Sequence, residues 1–268
     1  MQTLCTWWVV TGRSTPVVVA VNSSTLDVRQ RGRTRQPSAT WMRAAYSVFD
    51  IKTYAFARDA TIFLVGDSLL KRLFDVLCVA GDKEHMARGF VEGLYHDPAP
   101  IHCRCAAIAA NITYMRAMTS HEVTTRVRET VGSLRSADFL LFNSGHVFYN
   151  ARVAKFQKTL GQLWDILSTL PRAQQQHVVH VSHTKPMVSR FWRNTNSMAC
   201  AMSDYLFEQR QACVQPLCAA SSVVCVSDFV PRFMALDALA IDGVHFHPRA
   251  YAVMAQSVGR AIKRAHQA

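Results

Sequence analysis

The sequence predicts an α/β fold: a three-layer α/β/α sandwich around a central, mostly parallel, five-stranded sheet. From residue 60 onward, short apolar runs rich in β-branched and aromatic residues alternate with longer segments of helical periodicity. Strands separated by helices are typical of parallel βαβ units, whose helices cover both faces of the sheet. The chain has 268 residues and is 50% hydrophobic, which is enough apolar material for such a core.

Five apolar runs are interpreted as strands. The first, residues 61–65, is rich in β-formers and stops at Gly66. The other four lie within residues 106–117, 136–145, 177–183 and 221–229. In open parallel sheets ligands bind outside the carboxyl ends of the strands, so we expect the polar residues that follow these runs to gather at one edge.

Three segments are predicted to be helices. Residues 69–80 place leucines and valines on one face, with charged residues elsewhere. Residues 151–170 form a long amphipathic segment that stops before Pro171. Residues 247–268 form a closing helix with Pro248 in its first turn.

The sequence divides into a basic N-terminal extension, residues 1–45, and an α/β domain, residues 46–268. In the extension, arginines alternate with polar residues at Arg29, Arg31, Arg33 and Arg35. We interpret this stretch as a solvated, flexible linker. The alternative is a segment that anchors the chain to an anionic surface.

The net charge of +12 favours anionic partners such as nucleic acid, lipid headgroups or acidic polysaccharide. No RNA-binding signature or zinc-finger spacing accompanies this charge, so nucleic acid is not predicted as the primary partner. No apolar run reaches about 18 residues, so no membrane span is predicted. The oligomeric state does not follow from the sequence.

The eight cysteines leave two interpretations open. In a secretory compartment some of them would pair as disulfides, whereas in a reducing one Cys78 and Cys225 would be small buried apolar residues. No pair has C-x-x-C spacing, and we predict neither a metal nor a cofactor. Two sequons, at Asn22 and Asn111, favour the secretory pathway, although the first residues do not make a convincing signal peptide.

Ser68 is the candidate nucleophile. It follows the first strand at the corner Gly66-Asp67-Ser68, where a helix begins. At such a corner the hydroxyl projects from the sheet edge, and the helix N-terminus stabilises negative charge, as an acyl-transfer intermediate requires. The alternative is that Ser68 only caps the helix. Asp67 is expected to brace the loop rather than react.

His245 is the candidate general base, and Asp242 is the residue expected to orient it. The two are three residues apart just ahead of the closing helix, so the carboxylate can accept the Nδ1–H of the imidazole and leave Nε2 for the serine. Asp228, after the last predicted strand, is a rival acid that lacks this local spacing. A surface loop with a helix-capping aspartate is the alternative interpretation of this motif.

A third polar motif, Asn143-Ser144-Gly145-His146, follows the third predicted strand. The amide of Asn143 and backbone N–H groups near Gly145 could donate to an oxyanion. His146 either lines the substrate pocket or has a structural role. An ordinary turn is the alternative, because Asn, Ser and Gly are common turn residues.

Together, FLVGDSLLKRLF, FNSGH and DGVHFHP resemble the conserved blocks of the SGNH, or GDSL-type, esterase superfamily over roughly residues 60–260. The Asn-x-Gly-His form further resembles the PC-esterase branch, which includes trichome-birefringence-like and sialate O-acetyltransferases. The resemblance implies a flavodoxin-like SGNH hydrolase fold, a Ser68–His245–Asp242 triad, and an oxyanion held by Asn143 and the N–H of Ser68. A second glycine donor is not clearly present; Gly93 is the candidate.

The resemblance implies a serine-dependent acyl-ester hydrolase or O-acetyltransferase that forms an acyl-enzyme and acts on O-acetylated carbohydrate. An acidic glycan would suit the net charge of +12. The resemblance, the cysteines and the sequons favour the secretory pathway or the extracellular space. The alternatives are a generic small-ester esterase or lipase, and an inactive SGNH domain that binds glycan or nucleic acid.

Overall fold

The computed structural model describes residues 4–5, 19–20, 49–81, 99–144, 153–183, 204–230, 246 and 248–267. Its main sheet has six strands, and a separate antiparallel pair joins two short strands near the N-terminus. The short pair is β1 (Leu4–Cys5) and β2 (Val19–Ala20). The main sheet contains β3 (Thr61–Gly66), β4 (Ile101–Cys105), β5 (Ala110–Arg116), β6 (Phe139–Phe142), β7 (Val178–Val181) and β8 (Val224–Val226).

The order of strands in the main sheet is β4-β5-β3-β6-β7-β8. All neighbours are parallel except β4 and β5, which are antiparallel. The five parallel strands therefore have the flavodoxin-like order 2-1-3-4-5. The predicted mostly parallel sheet is confirmed, and each of the five predicted runs contributes a parallel strand. The topological switch point lies between β3 and β6, where ligands bind in folds of this kind.

The predicted number of strands was wrong, because β4 adds a sixth strand at the edge. Its partly or fully buried residues, Ile101, Cys103 and Cys105, alternate with exposed His102 and Arg104, as expected for an edge strand. A short 3₁₀ turn, Ala106–Ile108, joins β4 to β5, and Ala109 takes the left-handed conformation with φ of 53°. The alternation in IHCRC is the signal that could have revealed this strand.

Six helices are described, together with a 3₁₀ helix at Ile51–Ala57 that precedes β3. They are α1 (Ser68–Gly81), α2 (Ser120–Val131), α3 (Val153–Ser168), α4 (Arg172–Gln175), α5 (Asp204–Ala219) and α6 (Pro248–Ala265). The three predicted helices correspond to α1, α3 and α6, with ends that differ by one to three residues. A capping box between Thr119 and Glu122 starts α2.

The helices form one layer on each face of the sheet. The strands alternate their side chains between the two faces, so that Leu64 packs with α1, α6 and the 3₁₀ helix, whereas Val65 packs with α2, α3 and α5. Each face of the sheet packs against its helices in an apolar core. Leu73 is fully buried in one core and Phe142 in the other. The predicted three-layer sandwich is confirmed.

Two disulfides lie among the described residues, Cys78–Cys103 and Cys218–Cys225. Of the two interpretations of the cysteines, pairing is the one that holds for Cys78 and Cys225. The first bond ties α1 to the edge strand β4, and the second ties α5 to β8.

Within the described part of the chain, no helix combines the length and the hydrophobicity that a membrane span needs. The strands β1 and β2 belong to the predicted extension, most of which lies outside the described residues. The boundary near residue 45 stays a prediction.

Candidate functional site

The corner between β3 and α1 carries Ser68. The strand ends at Gly66, Asp67 makes the turn, and Ser68 is the first residue of the 14-residue helix α1. The corner lies at the carboxyl end of β3, beside the switch point of the sheet. The side chain of Ser68 is partly exposed, whereas Asp67 beside it is completely buried.

Asp67, not Ser68, caps helix α1. Its Oδ1 atom accepts a hydrogen bond of 2.9 Å from the backbone N–H of Leu69, and its carbonyl accepts one of 3.1 Å from the N–H of Lys71. The interpretation of Ser68 as only an N-cap is therefore wrong. The carboxylate of Asp67 accepts from the N–H of Leu69, so the N-cap position belongs to Asp67 and Ser68 is the first residue of the helix.

Asn143 meets the corner from the neighbouring strand. It follows β6, is fully buried, and donates a hydrogen bond of 2.8 Å from Nδ2 to Oδ1 of Asp67. Its backbone N–H also donates to the carbonyl of Val65 at 3.3 Å, which continues the β3–β6 pairing. The structure thus brings two predicted site residues, Ser68 and Asn143, to the same corner, with Asp67 between them.

Gly66 is required for this contact. A Cβ atom at residue 66 would lie 2.3 Å from Oδ1 and 2.8 Å from Cγ of Asn143. The absence of a side chain allows the amide of Asn143 to lie against the backbone of β3 and reach Asp67.

Strand β5 supports the corner from the opposite side. The hydroxyl of Tyr114 donates to the carbonyls of Gly66 and Asp67, at 3.0 and 3.2 Å. The N–H of Ala117 donates to the carbonyl of Gly66 at 2.8 Å. These bonds come from buried groups, so the backbone that presents Ser68 is held on both sides.

His183 is a site residue that the sequence analysis missed. It lies just beyond the end of β7, is largely buried, and places Nδ1 3.8 Å from Oδ2 of Asp67. That oxygen has no hydrogen-bond partner among the described residues. His183 is the last residue of the predicted strand run 177–183. Polar residues at the carboxyl ends of parallel strands lie close together, so this rule could have identified His183 as a site residue.

The remaining predicted residues, Gly93, Gly145, His146, Asp242 and His245, lie outside the described residues. Their roles stay predictions, as does the geometry of the triad. The rival acid Asp228 is described: its side chain is 47% exposed, and its Oδ2 atom lies 4.0 Å from Nη2 of Arg264 on α6. This is the environment of a surface ion pair.

No protein-family model matches the chain, and no curated protein matches its sequence. Solved structures do show similarity. The lipase/acylhydrolase from Enterococcus faecalis is 16% identical, with 76% of this chain and 96% of that chain covered and a TM-score of 0.49. A member of the lipolytic protein G-D-S-L family from Veillonella parvula DSM 2008 is 14% identical, with 74% and 96% covered and a TM-score of 0.47. Neither is described as a PC-esterase, and that branch stays a prediction.

Proposed function

We propose that the protein is a serine-dependent hydrolase of acyl esters, with Ser68 as the nucleophile. One observation carries the proposal: Ser68 begins helix α1 at the carboxyl end of β3, while Asp67 caps that helix. The serine hydroxyl is thus placed at the positive end of a helix dipole, in the crevice where this fold binds ligands. A nucleophile that generates an oxyanion benefits from this position.

In the proposed mechanism, His245 removes the proton of Ser68 as Oγ attacks the ester carbonyl, and Asp242 orients His245. The N–H of Ser68 and the side-chain amide of Asn143 donate to the oxyanion. The hydrogen bond from the Asn143 amide to Asp67 fixes the orientation of that side chain at the corner that carries Ser68. The tetrahedral intermediate collapses, His245 protonates the leaving alkoxide, and water then hydrolyses the acyl-enzyme with His245 again acting as base.

For the substrate, we propose an O-acetylated carbohydrate. The Asn143-x-Gly145-His146 motif and its resemblance to the PC-esterase branch support the acetyl group and the sugar. The net charge of +12 is compatible with an acidic glycan. The same catalytic residues would serve an O-acetyltransferase if a sugar hydroxyl replaced water as the acyl acceptor, because exclusion of water decides between the two outcomes.

The test of the nucleophile compares hydrolysis of p-nitrophenyl acetate by the wild type and by Ser68→Ala. We expect the variant to lose roughly 10⁴-fold or more in rate, as other serine triads do. Ser133→Ala is the matched control, because Ser133 is exposed at the end of α2 and its hydroxyl donates only to the carbonyl of Thr130. Equal hydrolysis rates for the wild type and Ser68→Ala would refute the proposal that the protein is an esterase with Ser68 as its nucleophile.

A fluorophosphonate probe supplies an independent measurement of the same residue. Such probes phosphonylate activated serines with loss of fluoride, so mass spectrometry should locate the adduct on Ser68 in the wild type. The adduct should be absent in His245→Ala, because the hydroxyl is then not deprotonated. Labelling of other serines but not of Ser68 would also refute the proposal.

The substrate class is tested separately by measuring acetate release from an O-acetylated anionic polysaccharide. Hydrolysis of p-nitrophenyl esters with longer acyl chains is measured in parallel for comparison. We expect acetate to be released and the long-chain esters to be poorer substrates than p-nitrophenyl acetate. Faster turnover of the long-chain esters would indicate a lipase and overturn the carbohydrate assignment without affecting the role of Ser68.

A further inference from the structure

A second cluster of chemically reactive side chains lies on the sheet face that α2, α3 and α5 cover. His180 on β7 is the direct register partner of Cys225 on β8, and it also pairs with Phe142 on β6. Register partners in adjacent strands point to the same face. The sheet therefore places the imidazole of His180 beside the sulfur of Cys225, whatever the redox state of that cysteine.

His180 is 1% exposed, and within the part of the chain that the structure describes neither of its ring nitrogens has a hydrogen-bond partner. Its neighbours include the rings of Phe142 and Trp164, with centroids at 5.2 and 5.7 Å. Burial lowers the pKa of His180 to about 4, so the ring is neutral at physiological pH. A buried polar group without a partner is costly, and in native proteins it calls for an explanation.

The disulfide Cys218–Cys225 supplies two sulfur atoms next to this ring. A ring nitrogen of His180 and both sulfurs lie within 4.8 Å of one another. Cys218 and Cys225 are only partly buried, so a reductant in solution can reach the bond more easily than it could reach the ring.

The position of Cys218 does not depend on the disulfide alone. The indole N–H of Trp164 donates to the carbonyl of Leu217 at 3.1 Å and to the hydroxyl of Ser221 at 3.3 Å. These bonds hold the end of α5 and the following turn against α3. After reduction, the helix end and the strand would still present both sulfurs to His180.

We propose that reduction of Cys218–Cys225 creates a Zn²⁺ site formed by the two thiolates and the imidazole of His180. A dithiol reductant gives two electrons and two protons to the bond and is itself oxidised to a disulfide, so that two thiols form. Binding of Zn²⁺ then releases the two thiol protons. Zinc ligands at about 2.1–2.3 Å from the metal lie roughly 3.5–4 Å apart in a tetrahedron, which side-chain rotations can reach from the observed separations.

Charge balance favours Zn²⁺ over Cu⁺. Two thiolates neutralise a divalent cation, whereas with Cu⁺ they would leave a net negative charge beside Phe142 and Trp164. Among the described residues no fourth side chain joins this cluster, so water would complete the coordination. A cavity of about 540 Å³, lined in part by Trp164, Leu217 and Ser221, lies beside the end of α5.

The test uses Co²⁺ as a coloured substitute for Zn²⁺ on the full chain. The protein is reduced with a phosphine, freed of reductant without oxygen, and titrated with Co²⁺. Reduced wild type should show thiolate-to-cobalt charge transfer and tetrahedral d–d bands, and one equivalent of Zn²⁺ should abolish both. The oxidised protein should show neither.

Three variants locate the site. Cys218→Ala/Cys225→Ala should lose the cobalt spectrum after reduction, and His180→Phe should weaken Zn²⁺ binding at least about ten-fold. Cys78→Ala/Cys103→Ala is the matched control, because it removes the other described disulfide and should keep the spectrum. The proposal would be overturned if Cys218→Ala/Cys225→Ala kept the cobalt spectrum after reduction. It would also be overturned if reduced wild type showed no cobalt spectrum, whether or not the reduced protein stayed folded.

Discussion

The amide of Asn143 donates a hydrogen bond of 2.8 Å to the carboxylate of Asp67, across 76 residues of sequence. The same carboxylate oxygen caps helix α1 through the N–H of Leu69. One buried atom therefore connects the end of β6 with the start of the helix that carries Ser68. The position of the proposed nucleophile depends on this connection.

A double-mutant cycle on Asp67 and Asn143 measures the connection. Asp67→Ala removes the cap, and Asn143→Ala leaves the buried carboxylate without its amide donor. Each change should lower the free energy of unfolding by about 1–3 kcal/mol. Because the two groups share one interaction, the double variant should lose less than the sum, with a coupling energy of about 0.5–3 kcal/mol by urea unfolding. Strict additivity would show that the bond contributes nothing.

Gly66→Ala should damage both stability and activity. The added Cβ would lie 2.3 Å from Oδ1 of Asn143, so the amide must move away from Asp67. We expect a loss of about 1–3 kcal/mol in the free energy of unfolding, as for other overpacked sites, and slower hydrolysis of p-nitrophenyl acetate.

Gly161→Ala on α3 is the matched control for Gly66→Ala. A Cβ atom at residue 161 would meet nothing within 4 Å. Alanine is the better helix former, so this variant should gain about 0.5–1 kcal/mol and keep its activity. If both variants changed stability equally, the contact with Asn143 would not be the cause.

Asp138 should make stability depend on pH at the amino ends of the central strands β3 and β6. Its carboxylate accepts hydrogen bonds from the N–H of Thr61 at 2.9 Å and from Nη2 of Arg135 at 2.7 Å. Burial acts to raise the pKa of Asp138, but the hydrogen bonds and charge of Arg135 and the N–H of Thr61 outweigh it and hold the pKa below its ordinary value. The folded protein thus favours the charged form.

We expect Asp138→Asn to be less stable than wild type by about 1–3 kcal/mol at pH 7. A carboxyl whose pKa is lowered by folding stabilises the protein above its unfolded pKa, and this contribution is lost as the pH falls through the folded pKa. The difference should therefore shrink below about pH 4. Glu129→Gln, which breaks the exposed pair with Arg126, should have little effect at any pH. A difference for Asp138→Asn that stays constant down to pH 2 would contradict the mechanism.

The disulfide Cys78–Cys103 should contribute more to stability than Cys218–Cys225. The two bonds close loops with sequence separations of 25 and 7 residues. Chain entropy predicts losses of about 3–4 kcal/mol for Cys78→Ala/Cys103→Ala and about 2 kcal/mol for Cys218→Ala/Cys225→Ala. Urea unfolding of the two variants checks the order, and the reverse order would show that native contacts rather than loop length determine the effect.

The elements that the sequence revealed are those with strong hydrophobic patterns. Helix α1 was predicted because its leucines recur at helical spacing. Helices α2 and α5 were not identified: α2 buries threonines, Thr124 and Thr130, along with its valines, and α5 contains Pro216. The hydrophobic pattern of α5 is weak, whereas α2 begins with the capping signature Thr119-x-x-Glu122; packing against α3 supports both helices.

The sequence by itself determined that Ser68 stands where a strand becomes a helix, because a short continuous apolar run ends at Gly66 and apolar residues at helical spacing follow it. Only the tertiary structure decided that Asp67 caps the helix, that Asn143 reaches Asp67, and that His183 lies beside it. Local periodicity records which residues of one segment share a face. Contacts between segments depend on which strands become neighbours, and the pairing of β3 with β6 and of β6 with β7 follows from packing of the whole sheet.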